Sequence, residues 1–71
     1  MTLEEAFAIV SEYGATKILF NYDGRYFHAT AMAEVNGGVI ELGYGVDTKE
    51  ENALKRMIEY VKMMAAKGAV I

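Results

Sequence analysis

The chain has no cysteine and no proline, a single histidine, His28, and a single serine, Ser11. Without cysteine there is no disulfide framework, thiolate zinc site, iron–sulfur cluster or thiol nucleophile, and stability must come from packing alone. A surplus of positive charge is also missing. Seven Lys and Arg against ten Asp and Glu leave a net charge of −3 and a pI near 5.0, so bulk charge does not draw the protein to phosphate backbones or anionic lipid. No apolar run approaches the roughly 18 residues of a membrane span, and the acidic start lacks the basic and apolar regions of a signal peptide. What is present is hydrophobic: 54% apolar and aromatic residues with 24% charged ones, the balance of a folded globule. With 71 residues, the expectation is one soluble, cytoplasmic domain over residues 1–71 with a single core.

No repeat, low-complexity stretch or charge block divides the chain. Thr2 and Glu5 have the spacing of a helix capping box, and Leu3, Ala6, Phe7, Val10 and Tyr13 follow at helical spacing until Gly14. From Lys17 to Gly45 the pattern becomes aromatic and β-branched, broken by the turn signals Asp23-Gly24 and Asn36-Gly37. Two-residue turns at both sites predict that Tyr22 faces Arg25, Phe20 faces Phe27 and Ile18 faces Ala29. They also set Ala33 against Ile40, Ala31 against Leu42 and Ala29 against Tyr44. Centring the second turn on Gly37-Gly38 would oppose Glu34 and Glu41, so the Asn-Gly register is preferred. A last helix is expected to be capped by Asp47 or Thr48, with an apolar stripe of Leu54, Met57, Ile58, Val61, Met64 and Ala65 and a stop at Gly68. Glu51 and Lys55 form a solubilising pair four residues apart on its other side.

The fold class is therefore α+β, an α-β-β-β-α order whose three-stranded antiparallel sheet, in order 1-2-3, carries both helices on one face. Ala29, Ala31 and Ala33 are expected to let the helices approach that face, with Phe7, Phe20, Phe27, Leu42 and Tyr44 filling the core. The opposite face would display Lys17, Leu19, Asn21, Tyr26, His28, Thr30, Met32, Glu34, Val39 and Glu41. Strand propensity accounts for some of these residues. The functional reading is a partner-binding patch of Leu19, Tyr26, His28, Met32 and Val39, for a protein partner or a second copy of the chain. The apolar end Ala69-Val70-Ile71 is expected to dock on its own domain, the alternative being another molecule.

Catalytic sets are poor. One histidine without cysteine makes a weak metal site even with Glu34 and Glu41, and Ser11 lies in a helix with no oxyanion-forming turn beside it. Glu34 and Glu41 as paired carboxylates would need a cleft that so small a domain does not offer. The glycines at 37, 38, 43 and 45 form no phosphate loop and are read as turns and strand ends. Met63, beside Tyr60, is expected as an exposed contact. The reading is non-catalytic, with no cofactor, no metal, no membrane and no evident small-molecule substrate.

The α-β-β-β-α order, with Gly43-Tyr44-Gly45-Val46-Asp47-Thr48-Lys49 joining the third strand to the last helix, resembles the double-stranded RNA-binding domain family. That family has a Gly-x-Gly-x-Ser-Lys-Lys-x-Ala-Lys type run whose lysines hold phosphates. Here Gly43, Gly45 and Lys49 match, whereas Asp47, Thr48, Glu51 and Asn52 replace the serine, a lysine, the alanine and the last lysine. A long histidine-bearing loop between the first strands is replaced by Asp23-Gly24. The resemblance implies the fold, and as an alternative function a weak or degenerate nucleic-acid binder using Lys49, Lys55 and Arg56. Paired capping boxes, minimal turns and absent prolines also resemble an idealised designed domain. At this coarse level the chain is similar to small acidic phage proteins, including inhibitors of host proteins.

Overall fold

Leu3–Ser11 form α1, Lys17–Tyr22 β1, Phe27–Val35 β2, Gly38–Asp47 β3 and Glu50–Ala66 α2 in a computed structural model, which describes residues 1–68. The strands make one antiparallel sheet in order β1-β2-β3. Helix α2 lies over β3 and β2, while α1 touches β1 and α2, so the helices share one side of the sheet. The expected fold class is the observed one. The tail Ala69-Val70-Ile71, expected to dock, lies outside the described residues.

The start of α1 is the expected capping box. Glu5 N–H donates to Thr2 Oγ1 at 3.1 Å, and Thr2 N–H donates to Glu5 Oε1 at 2.8 Å. Its end carries the paired bonds of a Schellman motif, Gly14 N–H to the Ser11 carbonyl and Ala15 N–H to the Val10 carbonyl. The second hairpin also follows the sequence. Asn36 and Gly37 both take positive φ, 51° and 81°, as a type I′ turn requires, and Ala33 pairs with Ile40.

The first hairpin does not close on two residues. Tyr22 pairs with Phe27 and Phe20 with Ala29, which leaves Asp23–Tyr26 as a four-residue loop. One Asp23 oxygen accepts the amides of Arg25 and Tyr26, at 2.9 and 2.8 Å, and this side-chain-built turn replaces the tighter one. The register moves by two residues, so every side chain keeps its expected face.

In β3 the expectation fails at a β-bulge. Pairing is regular from Val35–Gly38 to Met32–Glu41, then slips, so that Ala31 faces Gly43 and Ala29 faces Gly45 rather than Leu42 and Tyr44. The extra residue, Leu42, lies inward beside Gly43, and all later residues change face. Tyr44 is therefore not core; it is 48% exposed. The physical reason is α2. A methyl on Gly45 would lie 2.2 Å from the Ala53 carbonyl oxygen and 2.5 Å from Met57 N, and one on Gly43 would lie 2.7 Å from Val61 Cγ2. These glycines are neither turns nor strand ends. With Ala29 and Ala31 opposite them, they make a trough in which the helix backbone rests almost on the strand.

Ala29, Ala31, Leu54, Met57, Val61, Val10 and Ala6 are fully buried there. Burial of each larger side chain stabilises by about 1.5–3 kcal/mol before entropy is subtracted. Two further expectations are corrected. Phe7 stays 37% exposed, because α1 presents Ala6 and Val10 inward and leaves Leu3 and Phe7 along its border with Ile18. The cap of α2 is Lys49, without a side-chain bond, because Asp47 still belongs to β3. From there the Asp47 carboxylate accepts Lys49 N–H at 3.0 Å and Arg56 Nε at 3.1 Å. Chiefly the amide, and then Arg56 and Asn52, hold its pKa below the usual value.

Candidate interaction surface

Antiparallel pairing arranges the uncovered side of the sheet in cross-strand rows. Asn21, His28 and Val46 form one, Leu19, Thr30 and Tyr44 the next, then Lys17, Met32 and Glu41, and finally Glu34 and Val39. Members of a row sit about 5 Å apart, close enough for side chains to touch. Leu19, Val39, Tyr44 and Val46 are exposed here, while His28, Thr30 and Met32 are half-buried among their neighbours. No described element lies over this side of the sheet, and only at the β3 edge do side chains of α2 come alongside Tyr44 and Val46.

Four of the five expected patch residues, Leu19, His28, Met32 and Val39, occupy this face. Leu19 and Met32 are diagonal neighbours, and so are Met32 and Val39. Tyr26 is displaced. It lies in the four-residue turn, outside the strand pairing, beside Arg25, whose guanidinium carbon is 5.9 Å from the ring centroid. The same turn captures His28. Its Nε2 lies 2.6 Å from Asp23 Oδ2, which fixes the imidazole at one end of the face. Asp23 is held down to about 2 by the Tyr26 amide first, then by His28 and the Arg25 amide. His28 is thus an anchor of the turn. Among the described residues no group of three or more His, Asp or Glu side chains is placed to hold a metal ion.

Tyr44 and Val46 are the members that the sequence reading missed, because the bulge turns them outward. The alternation Gly43-Tyr44-Gly45-Val46 carried the signal: two glycines two residues apart in a strand mark a face without side chains, which leaves Tyr44 and Val46 on the other. Tyr44 also reaches around the free edge of β3 to Tyr60 of α2, ring centroids 5.1 Å apart. Along that edge runs an open groove of about 580 Å³, lined by Tyr44, Val46, Arg56, Tyr60 and Met63. Met63 is exposed beside Tyr60, as expected.

The sequence matches no family model, and no curated protein and no solved structure is significantly similar to it. Among the described residues, no helix is long and apolar enough to cross a membrane. The basic residues implied by the RNA-binding resemblance lie at the start of α2, and two are tied to carboxylates. Lys55 Nζ is 3.5 Å from Glu51, which also takes the N-terminal ammonium at 3.3 Å, and Arg56 is held by Asp47. Lys49 is exposed.

Proposed function

We propose that this protein is a non-catalytic interaction module that binds a protein partner through the uncovered face of its sheet. One observation carries the reading: Leu19, Met32, Val39, Tyr44 and Val46 adjoin one another on a sheet face with no described covering element. Scattered exposed apolar residues need no explanation, whereas a contiguous set rimmed by Lys17, Glu34 and Glu41 has the composition of a protein-binding patch. The nucleic-acid alternative draws less support, because Lys55 and Arg56 already have acidic partners and the net charge is −3.

Site-specific photo-cross-linking in the cells that make the protein tests the proposal. A benzophenone side chain at position 19 or 32 is expected to give discrete protein adducts, and one at Lys62 on the exposed side of α2 is not. Equal labelling from both surfaces, or none from the sheet, would remove the reading. Duplex RNA at low salt checks the alternative, since binding through a few phosphates must weaken steeply as salt rises.

A further inference from the structure

The row Lys17–Met32–Glu41 has a property that a generic apolar patch does not require. It carries a cation on one edge strand, a thioether at the centre and an anion on the other edge strand. Their backbone positions stand about 10 Å apart across two strand spacings, and among the described residues neither has an ion-pair partner. From this pattern we infer that the occupant of the open face is a second copy of the chain, related by a two-fold axis running nearly parallel to β2. The inference rests on the open-face reading above and names its partner.

Rotation about such an axis exchanges the edge strands while keeping each row in place. Lys17 then meets Glu41 of the partner, and Glu41 meets Lys17 of the partner, so one operation makes two ion pairs and leaves neither charge unpaired. In the next row Leu19 meets Tyr44 in both directions, and Met32 packs on its own copy at the axis. Two sheets joined in this way cross at about 30°, the usual aligned packing, with the helices on the outside. The other two-fold axis in the plane, perpendicular to the strands and centred on Thr30, pairs Glu41 with Val46 and Lys17 with Asn21. It would bury both charges without partners, which the preferred axis avoids. In the two end rows, where twisted sheets splay apart, the preferred axis sets Glu34 and His28 each on its own copy and Asn21 against Val46.

Three strands and four rows give a face of about 400 Å² in projection, about half of what each partner contributes to a standard interface, so the association is expected to be weak and transient. Sedimentation equilibrium of the full chain, up to about 1 mM and in low and high salt, reads it directly. The wild type is expected to dimerise, and Lys17→Glu and Glu41→Lys should each weaken association by about tenfold or more. The double exchange should restore it, Glu34→Gln should tighten it, and circular dichroism should show all four variants folded. Dimers that survive both single reversals, or single variants that the double exchange fails to rescue, overturn the axis. A wild type that stays monomeric overturns the second copy. In that case adducts of another mass at position 19 would still uphold the open-face reading, whereas an absence of adducts would remove both.

Discussion

Gly45 is the position at which this fold tolerates least. A Cβ there would penetrate the Ala53 carbonyl oxygen and Met57 N, both backbone atoms of α2 that cannot swing aside. At Gly43 the closest obstacle is the Val61 methyl, a side-chain group with other rotamers, although Val61 N also lies at 3.0 Å. At Gly38 an added methyl makes only an ordinary contact, 3.6 Å from the Val35 carbonyl oxygen. The expected order of stability loss in urea is therefore Gly45→Ala, about 3 kcal/mol or more, then Gly43→Ala, then Gly38→Ala near zero. Asp23 gives a pH signature. Its pKa is lowered from 3.8 to about 2, so its stabilisation of the turn is complete above the ordinary value and fades as pH falls through about 2. NMR titration is expected to place the carboxyl midpoint near 2, with faster amide exchange at Arg25 and Tyr26 once it protonates. A midpoint near 3.8 would mean that those amides do not hold it.

Among the elements, β3 does two jobs because it changes face in mid-strand. Before the bulge, Val39 and Glu41 point outward, and after it Gly43 and Gly45 turn inward while Tyr44 and Val46 turn outward. Deletion of Leu42 would make the pairs Met32–Glu41 and Ala31–Gly43 consecutive, a regular ladder in which Gly43 and Gly45 still face α2 and Tyr44 and Val46 still face outward. The expected outcome is a protein that keeps its amide dispersion in NMR spectra and is destabilised in urea by about 2–5 kcal/mol through loss of the buried Leu42 side chain. Loss of amide dispersion would mean that the bulge itself, and not only the leucine side chain, is needed to seat α2. The hairpins differ for a local reason. Asn36-Gly37 meets the positive-φ demand of a two-residue turn by itself, whereas Asp23 spends its carboxylate on the next amides and widens its turn to four residues.

For the whole molecule, asymmetry between the two sheet faces is the main energetic fact. Net stabilities of domains are about 5–15 kcal/mol, with small domains at the low end, and this chain has no disulfide to add to its core. Leu54 is fully buried, so Leu54→Ala is expected to cost about 2–5 kcal/mol and to unfold much of the protein at 37 °C. Leu19→Ala, on the open face, is expected to stay within about 0.5 kcal/mol in dilute solution. Urea unfolding of both at micromolar concentration checks this contrast. Equal losses would show that the open face supports the fold instead of facing a partner.

Local chemistry alone determined the element order, the α1 capping box, the Asn36-Gly37 turn, the buried stripe of α2 and the inward set Ala29, Ala31 and Ala33. Each depends on neighbours within a few residues or on the twofold and 3.6-fold periods of strand and helix. Tertiary packing decided the rest. The two-residue shift at Asp23 depended on a hydrogen-bond set that strand patterning does not describe. The slip at Leu42 followed from the need to bring α2 against a strand face stripped of side chains at Gly43 and Gly45. That slip moved Tyr44 from the expected core to the β3 edge of the candidate surface, because a period-two pattern cannot count the extra residue a bulge inserts.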